Sequence, residues 1–184
     1  MHFRLAVVLG LSALSAVSCS TPKTETETAT TPDSTAAMTP VQRGAYLVTV
    51  TGCNDCHTPG TLYGAPDMNR QLSGSDLGWQ GPWGVSYARN LTPDPNTGLG
   101  NWTEEEILNA LQKGVNKDGS PIAPPMPWPD FAHLTHSDAL AIVAYLRSIP
   151  PVLHQVPPRV PPGAHANGSI LILPPPPEWD KPRG

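Results

Sequence analysis

The chain has 184 residues, room for one ordinary domain plus extensions, and its 11 basic against 15 acidic residues leave a net charge of −4. That balance offers no electrostatic footprint for nucleic acid, and no nucleic-acid partner is expected. The 24 prolines and 16 glycines make up about a fifth of the chain, and the prolines crowd positions 121–129 and 150–182, which points to a compact core with proline-rich loops and a proline-rich tail.

The N-terminus reads as an export signal, residues 1–18. His2 and Arg4 form a short polar start, and Leu5 to Val17 is an apolar run of 13 residues, too short to span a bilayer comfortably. It ends at Ala16-Val17-Ser18-Cys19, which resembles a bacterial lipoprotein cleavage box, with Ala16 where such boxes usually carry Leu. In that reading Cys19 is acylated and becomes the mature N-terminus. Plain secretory cleavage is the alternative, and it would leave a stray thiol in an exported chain. Ser20 after the lipid cysteine, rather than Asp, favours the outer membrane in a Gram-negative host, with the protein on the periplasmic face. Export also places the chain in an oxidising compartment.

Residues 19–38 hold the lipidated cysteine and a tether, STPKTETETATTPDSTAAM, with almost no large apolar side chain to bury. A flexible segment of this length reaches roughly 25 Å, enough to lift a small domain clear of lipid headgroups.

Folding signals begin at Thr39. Thr39-Pro40-Val41-Gln42 offers an N-cap, proline at the first helical position and the glutamine of a capping box. A helix is predicted from there through RGAYLVTV, stopping at Gly52. Gly44 inside it costs about 1 kcal/mol relative to alanine, a cost that close approach of another helix would explain. Thr103-Glu104-Glu105-Glu106 is a second capping box; Ile107, Leu108 and Leu111 form an apolar face, and Gly114 suits a terminator. A third helix starts near Thr135 or Ser137, carries Ile142, Tyr145, Leu146 and Ile149 at helical spacing, and ends at Pro150-Pro151. Gly44 and Tyr145 are expected to mark the crossing of the first and last helices. No strand alternation is visible from 39 to 150, so the fold is expected to be all-α. The long Gly/Pro loops need something to organise them, and the few large aliphatic residues make a thin core. A large buried cofactor would supply the missing apolar mass.

Cys53-Asn54-Asp55-Cys56-His57 is C-x-x-C-H. Structural zinc needs more ligands, and His133 with His136 is an unexceptional pair. A thioredoxin-like dithiol needs a βαβ context, which is missing. The third reading is covalent haem attachment, for which the spacing has a chemical reason. Cysteines three apart lie on neighbouring positions of a helical turn, where Cys53 and Cys56 reach the two vinyl-derived carbons of one porphyrin, and His57 is carried beneath the iron. One motif predicts one haem c.

The helix before Cys53, the haem motif, a methionine among prolines and a final helix containing Ala144-Tyr145-Leu146-Arg147 resemble a class I cytochrome c domain, short helices and long loops around one covalent haem. More narrowly, RGAYLV, NLTPDPNTGLGNWTEEEI, PPMPW and AIVAYLRSIPPV are similar to exported bacterial cytochromes related to the cytochrome subunits of membrane-bound alcohol and sugar dehydrogenases. The resemblance covers about residues 40 to 157. Those subunits carry three haem motifs where this chain has one, and the tether and tail fall outside the pattern. The domain plan is therefore a cytochrome c domain over 39–151 and a Pro-rich tail over 152–184.

The resemblance implies His/Met ligation of the iron. Among the four methionines, Met1 leaves with the signal, Met38 closes the tether, and Met68 follows His57 too closely to pass round the porphyrin edge. Met126, in Pro124-Pro125-Met126-Pro127-Trp128, is far enough away, and its flanking prolines hold the thioether on a stiff extended loop. The ordinary role for a methionine is core filling. His133, His136, His154 and His165 are the competing ligands. Tyr87, Arg89, Asn90 and Trp102 supply donors for haem propionates, with turn and core roles as the alternative. Thr92 to Gly98 is turn chemistry that could at most hold Ca²⁺. In the tail, Ile170-Leu171-Ile172-Leu173 is the one apolar run; it either stays extended or docks on the domain or on a partner.

These readings predict a lipid-anchored single-electron carrier between periplasmic redox proteins, a dehydrogenase or a respiratory-chain component, and not a catalyst in itself. The rival is a haem enzyme or gas sensor with an open distal iron, and a zinc-structured module is the weaker third.

Overall fold

The computed structural model describes residues 38–174. The capping box foreseen at Thr39 forms: its hydroxyl accepts from the Gln42 amide, the Gln42 side chain answers to the Thr39 amide, and helix α1 runs Pro40–Val50. A one-turn helix α2, Cys53–His57, follows after Gly52, whose positive φ of 71° makes the break that a side chain would resist. Helix α3, Glu104–Lys113, starts at the Thr103–Glu106 capping box and stops at Gly114 in the left-handed region. A short helix α4, Trp128–Phe131, precedes α5, His136–Ser148, which is capped by Thr135 and followed by the two prolines.

Helices α1 and α5 make the principal crossing. Leu47 and Val48 of α1, Leu111 of α3, Phe131 of α4 and Ala139, Ile142 and Leu146 of α5 converge in one buried cluster with Leu72. Gly44 sits where the two helices are closest, against the backbone of Ala141 and Cβ of Tyr145. Beside the crossing, the Arg43 guanidinium donates to both carboxylate oxygens of Asp138 at 2.8 and 3.2 Å.

The fold is mostly helix and loop, but it is not purely α. Strands β1 (Gly78–Gly81) and β2 (Gly84–Tyr87) form an antiparallel hairpin, Gly78 opposite Tyr87 and Gly81 opposite Gly84. Each strand has only four residues, two of the eight are aromatic, and glycines bound the pair, so no alternation betrays them. Strand β3, Ile170–Ile172, adds to β1 in parallel, giving the order β2-β1-β3.

The tail is therefore not a free extension over 152–174. Val156, 3% exposed, joins Val85 and Tyr87 in a second core cluster, Val160 pairs with Val85, and the apolar run docks on the domain as β3. Prolines leave such a segment without helix or a central strand, so its attachment depends on side chains and isolated bridges. The boundary expected at 151 is crossed by hydrogen bonds from the Asn90 side chain to the Val152 carbonyl and from the Val152 amide to Thr92. Residues 1–37 and 175–184, including the signal, Cys19 and most of the tether, lie outside the described part of the chain.

Candidate haem site

Helix α2 carries the C-x-x-C-H motif as a single turn. Cys53 and Cys56 are unpaired and half-buried, and burial pushes both thiols up from the usual value of 9.0. Cys53 also lies 3.4 Å from the hydroxyl of Thr51 and rests against the main core cluster. At neutral pH both are neutral thiols rather than thiolates.

His57 is buried, and desolvation lowers its pKa, opposed by one hydrogen bond. That bond decides the ring's chemistry. Nδ1 lies 2.7 Å from the carbonyl oxygen of Arg89, an acceptor only, so Nδ1 carries the proton and donates it. Nε2 is then left with its lone pair and makes no hydrogen bond among the described residues. A neutral imidazole with one nitrogen anchored to a carbonyl and the other free is held in the tautomer that can bind a metal through Nε2.

The loops that hold His57 are well tied. The Gly74 amide donates to the His57 carbonyl at 2.8 Å, Ser75 N donates to Ala88 O, and Leu91 N donates to Leu72 O. Thr58 continues the set: its hydroxyl accepts from the Leu72 amide and donates to Asn54.

Met126 stands on a loop fastened at both ends. Ser86 of β2 donates to the Pro124 carbonyl, and the Trp128 indole packs on Gly114, leaving no space there for a side chain. Met126 is half-buried against the same core cluster that Cys53 touches, as are Leu91, Leu99 and Leu108. Met68, by contrast, is 60% exposed on a single 3₁₀ turn. The rival histidines are placed elsewhere. His133, His136 and His165 are exposed, and both ring nitrogens of His154 are engaged, by Ser73 O and Asp76. No cluster of three or more His, Cys, Asp or Glu suited to a metal ion occurs among the described residues, so the zinc reading has no site there.

The donors suggested for propionates divide. Both amide hydrogens of Asn90 are spent on Thr97 and Val152, and its oxygen accepts from Thr92, so Asn90 is a loop staple. Arg89 contributes its backbone carbonyl to His57 while its guanidinium donates to Pro157 O. Tyr87 belongs to the sheet cluster, and Trp102 gives its carbonyl to Arg147; the phenol and indole polar groups make no hydrogen bond among the described residues. The Asp94 turn is built as read, Oδ1 accepting from Asn96 and from Thr97 twice. The Arg89 carbonyl was not legible beforehand, because any residue type can supply one.

Two unpaired thiols on one helical turn, an imidazole with a free Nε2 and a thioether against the same apolar cluster form a donor set that fits covalent haem. The family comparison agrees: the cytochrome c family matches residues 41–150. The chain belongs to the cytochrome c family. A cytochrome c domain holds haem c covalently and carries electrons rather than catalysing a reaction.

Over 116 residues the chain is 38% identical to the cytochrome c subunit of the quinone alcohol dehydrogenase of Gluconobacter oxydans, covering 62% of this chain and 23% of that protein. It is 32% identical to the fructose dehydrogenase cytochrome subunit of Gluconobacter japonicus, over 58% of this chain and 20% of that one. A diheme cytochrome c-type protein of Cereibacter sphaeroides is 30% identical over 59% of this chain and 36% of its own length. The cytochrome c domain thus spans only about a quarter of the length of the first of these relatives. Among the described residues no helix is long and apolar enough to cross a membrane.

Proposed function

We propose that this chain is a lipid-anchored monohaem cytochrome c that passes single electrons between redox proteins on the periplasmic face of a bacterial membrane, the outer membrane preferred. Cys53 and Cys56 form the thioether bonds, His57 Nε2 is the proximal ligand and Met126 the distal one. The bound haem supplies one-electron Fe(III)/Fe(II) chemistry. Everything else is the work of the chain: it fixes the imidazole, presents the thioether and keeps water from the apolar side. The observation that carries the reading is the 2.7 Å contact from His57 Nδ1 to the Arg89 carbonyl, which leaves Nε2 as the free donor beside two unpaired thiols.

With His57 and Met126 both holding the iron, the methionine would favour Fe(II) and raise the potential, and no coordination position would be left for a substrate. Tyr87 and Trp102 keep free donors for the propionates. Cys19 holds the membrane through its acyl chains. The partner is a dehydrogenase whose catalytic chain is separate, since the relatives' names describe cytochrome subunits of alcohol and fructose dehydrogenases.

The test is an absorption spectrum of protein matured in a host able to attach haem c. Sharp low-spin bands with the weak long-wavelength iron–methionine band are expected, the latter lost in Met126→Ala. An unchanged spectrum in that variant would sink the ligand, and high-spin bands shifted by CO would mean an open distal site. Loss of membrane retention in Cys19→Ser checks the anchor.

A further inference from the structure

The family match ends at residue 150, yet the chain's next few residues grip the loops that orient His57. Three hydrogen-bonded ties and one buried side chain are involved. Val152 O accepts from Asn90 Nδ2 at 2.8 Å, and Val152 N donates to Thr92 at 3.1 Å. His154 N donates to Thr97 at 3.1 Å, its ring Nδ1 donates to the Ser73 carbonyl at 2.8 Å, and Nε2 meets Asp76 at 3.2 Å. Pro157 O accepts from the Arg89 guanidinium at 3.0 Å. Val156 closes the set from above, its Cγ2 standing 2.5 Å from where a Cβ of Gly74 would be, with the Arg89 carbonyl carbon 2.9 Å from the same point.

Both loops that touch His57 are thereby held from one side. The loop through Ser73 and Gly74 fixes the His57 backbone, and the loop through Arg89 and Asn90 accepts its Nδ1–H. Their mutual distance sets how short the Nδ1–H···O contact is.

We propose that Val152–Pro157 is a positioning element for the proximal histidine and that His154, by tying its strand of chain to Ser73, is the residue that sets the strength of the His57–Arg89 hydrogen bond. A shorter bond draws the Nδ1 proton toward the carbonyl and makes Nε2 a stronger donor, which favours Fe(III) and lowers the potential. Loosening the brace raises the potential. The inference rests on His57 being the proximal ligand, as proposed above.

The charge-matched pair His154→Asn and His154→Gln in full-length holoprotein tests it. The Asn amide nitrogen takes the place of Nδ1 and keeps the Ser73 bond, whereas the longer Gln carries its amide past it toward Asp76. The Gln variant is expected to have the higher midpoint potential, with the His57 Nδ1–H proton resonance moved upfield and exchanging faster. Equal potentials and equal resonances in the two variants would overturn the brace. Failure of the underlying reading looks different: His57→Ala would then keep the low-spin spectrum. Both variants keep a polar side chain of similar size at a position whose side chain is only 11% exposed, and an unchanged low-spin spectrum in each shows that both are folded when the potentials are compared.

Discussion

A Cβ on Gly44 would stand 1.9 Å from the carbonyl oxygen of Ala141 and 2.7 Å from Cβ of Tyr145. The obstacle is backbone, so no rotamer change relieves it. Gly44→Ala gains helix propensity of about 1 kcal/mol but forces α1 and α5 apart at the centre of the main cluster. The net expectation is a loss of about 3 kcal/mol in chemical denaturation, with the haem spectrum broadened. Wild-type stability in this variant would mean that the helices are not in contact there.

The same crossing has a pH signature. The Arg43 guanidinium beside Asp138 holds its carboxyl below the usual 3.8, with the Thr135 cap adding a smaller contribution in the same direction. A depressed native pKa means that the bond's stabilisation is fully present above the unfolded value and is lost as pH falls through the native one. Asp138→Asn should therefore lower the melting temperature at neutral pH and converge with the parent once the pH falls through the native pKa, below the usual 3.8. Both side chains are partly exposed, which screens the pair, so the shift is small and salt-sensitive. An undiminished gap between the two proteins in acid would refute the assignment.

What was readable beforehand follows from how local each signal is. The three capping or terminating patterns at Thr39, Thr103 and Gly114 are short-range, and all three formed as read. The Gly44–Tyr145 crossing was legible because a glycine inside a helix needs a reason, and a second helix with matching spacing supplied one. The haem motif is local as well. The sheet was not legible, since GWQG and GVSY are too short to show alternation and are held by pairing with residues far along the chain. The Arg89 carbonyl and the 152–157 brace were hidden for the same reason: a backbone acceptor has no residue signature. Asn90, offered as a propionate donor, spends its amide hydrogens on Thr97 in its own loop and on the Val152 carbonyl after the last helix.

The third strand can be removed without touching the haem motif. A chain ending after Gly168 loses the pairing of Ile170–Ile172 with β1, the Gly78 amide's bond to Ser169 and the Leu173 amide's bond to Gln80. The side chains released are largely exposed, Ile172 at 71%, so little apolar burial goes with them. The expected cost is about 1–2 kcal/mol, carried mainly by backbone hydrogen bonds, with an unchanged visible spectrum. A shifted Soret band in the truncated protein would tie β3 to the haem side and contradict this separation.

Cysteine chemistry gives the most direct reading of the cofactor. Burial raises both the Cys53 and the Cys56 thiol above 9.0, and Asp55 adds repulsion against the thiolate in each case. A raised pKa leaves less thiolate at about pH 8, so the folded haem-free chain should react with iodoacetamide several-fold more slowly than the same chain in denaturant. Raising the pH should restore the rate. In the mature holoprotein both sulfurs are expected in thioether bonds, so neither reacts even in denaturant and intact mass rises by one haem. Alkylation of either Cys53 or Cys56 in denatured holoprotein would show that the attachment is incomplete, and a mass gain of two haems would overturn the count of one.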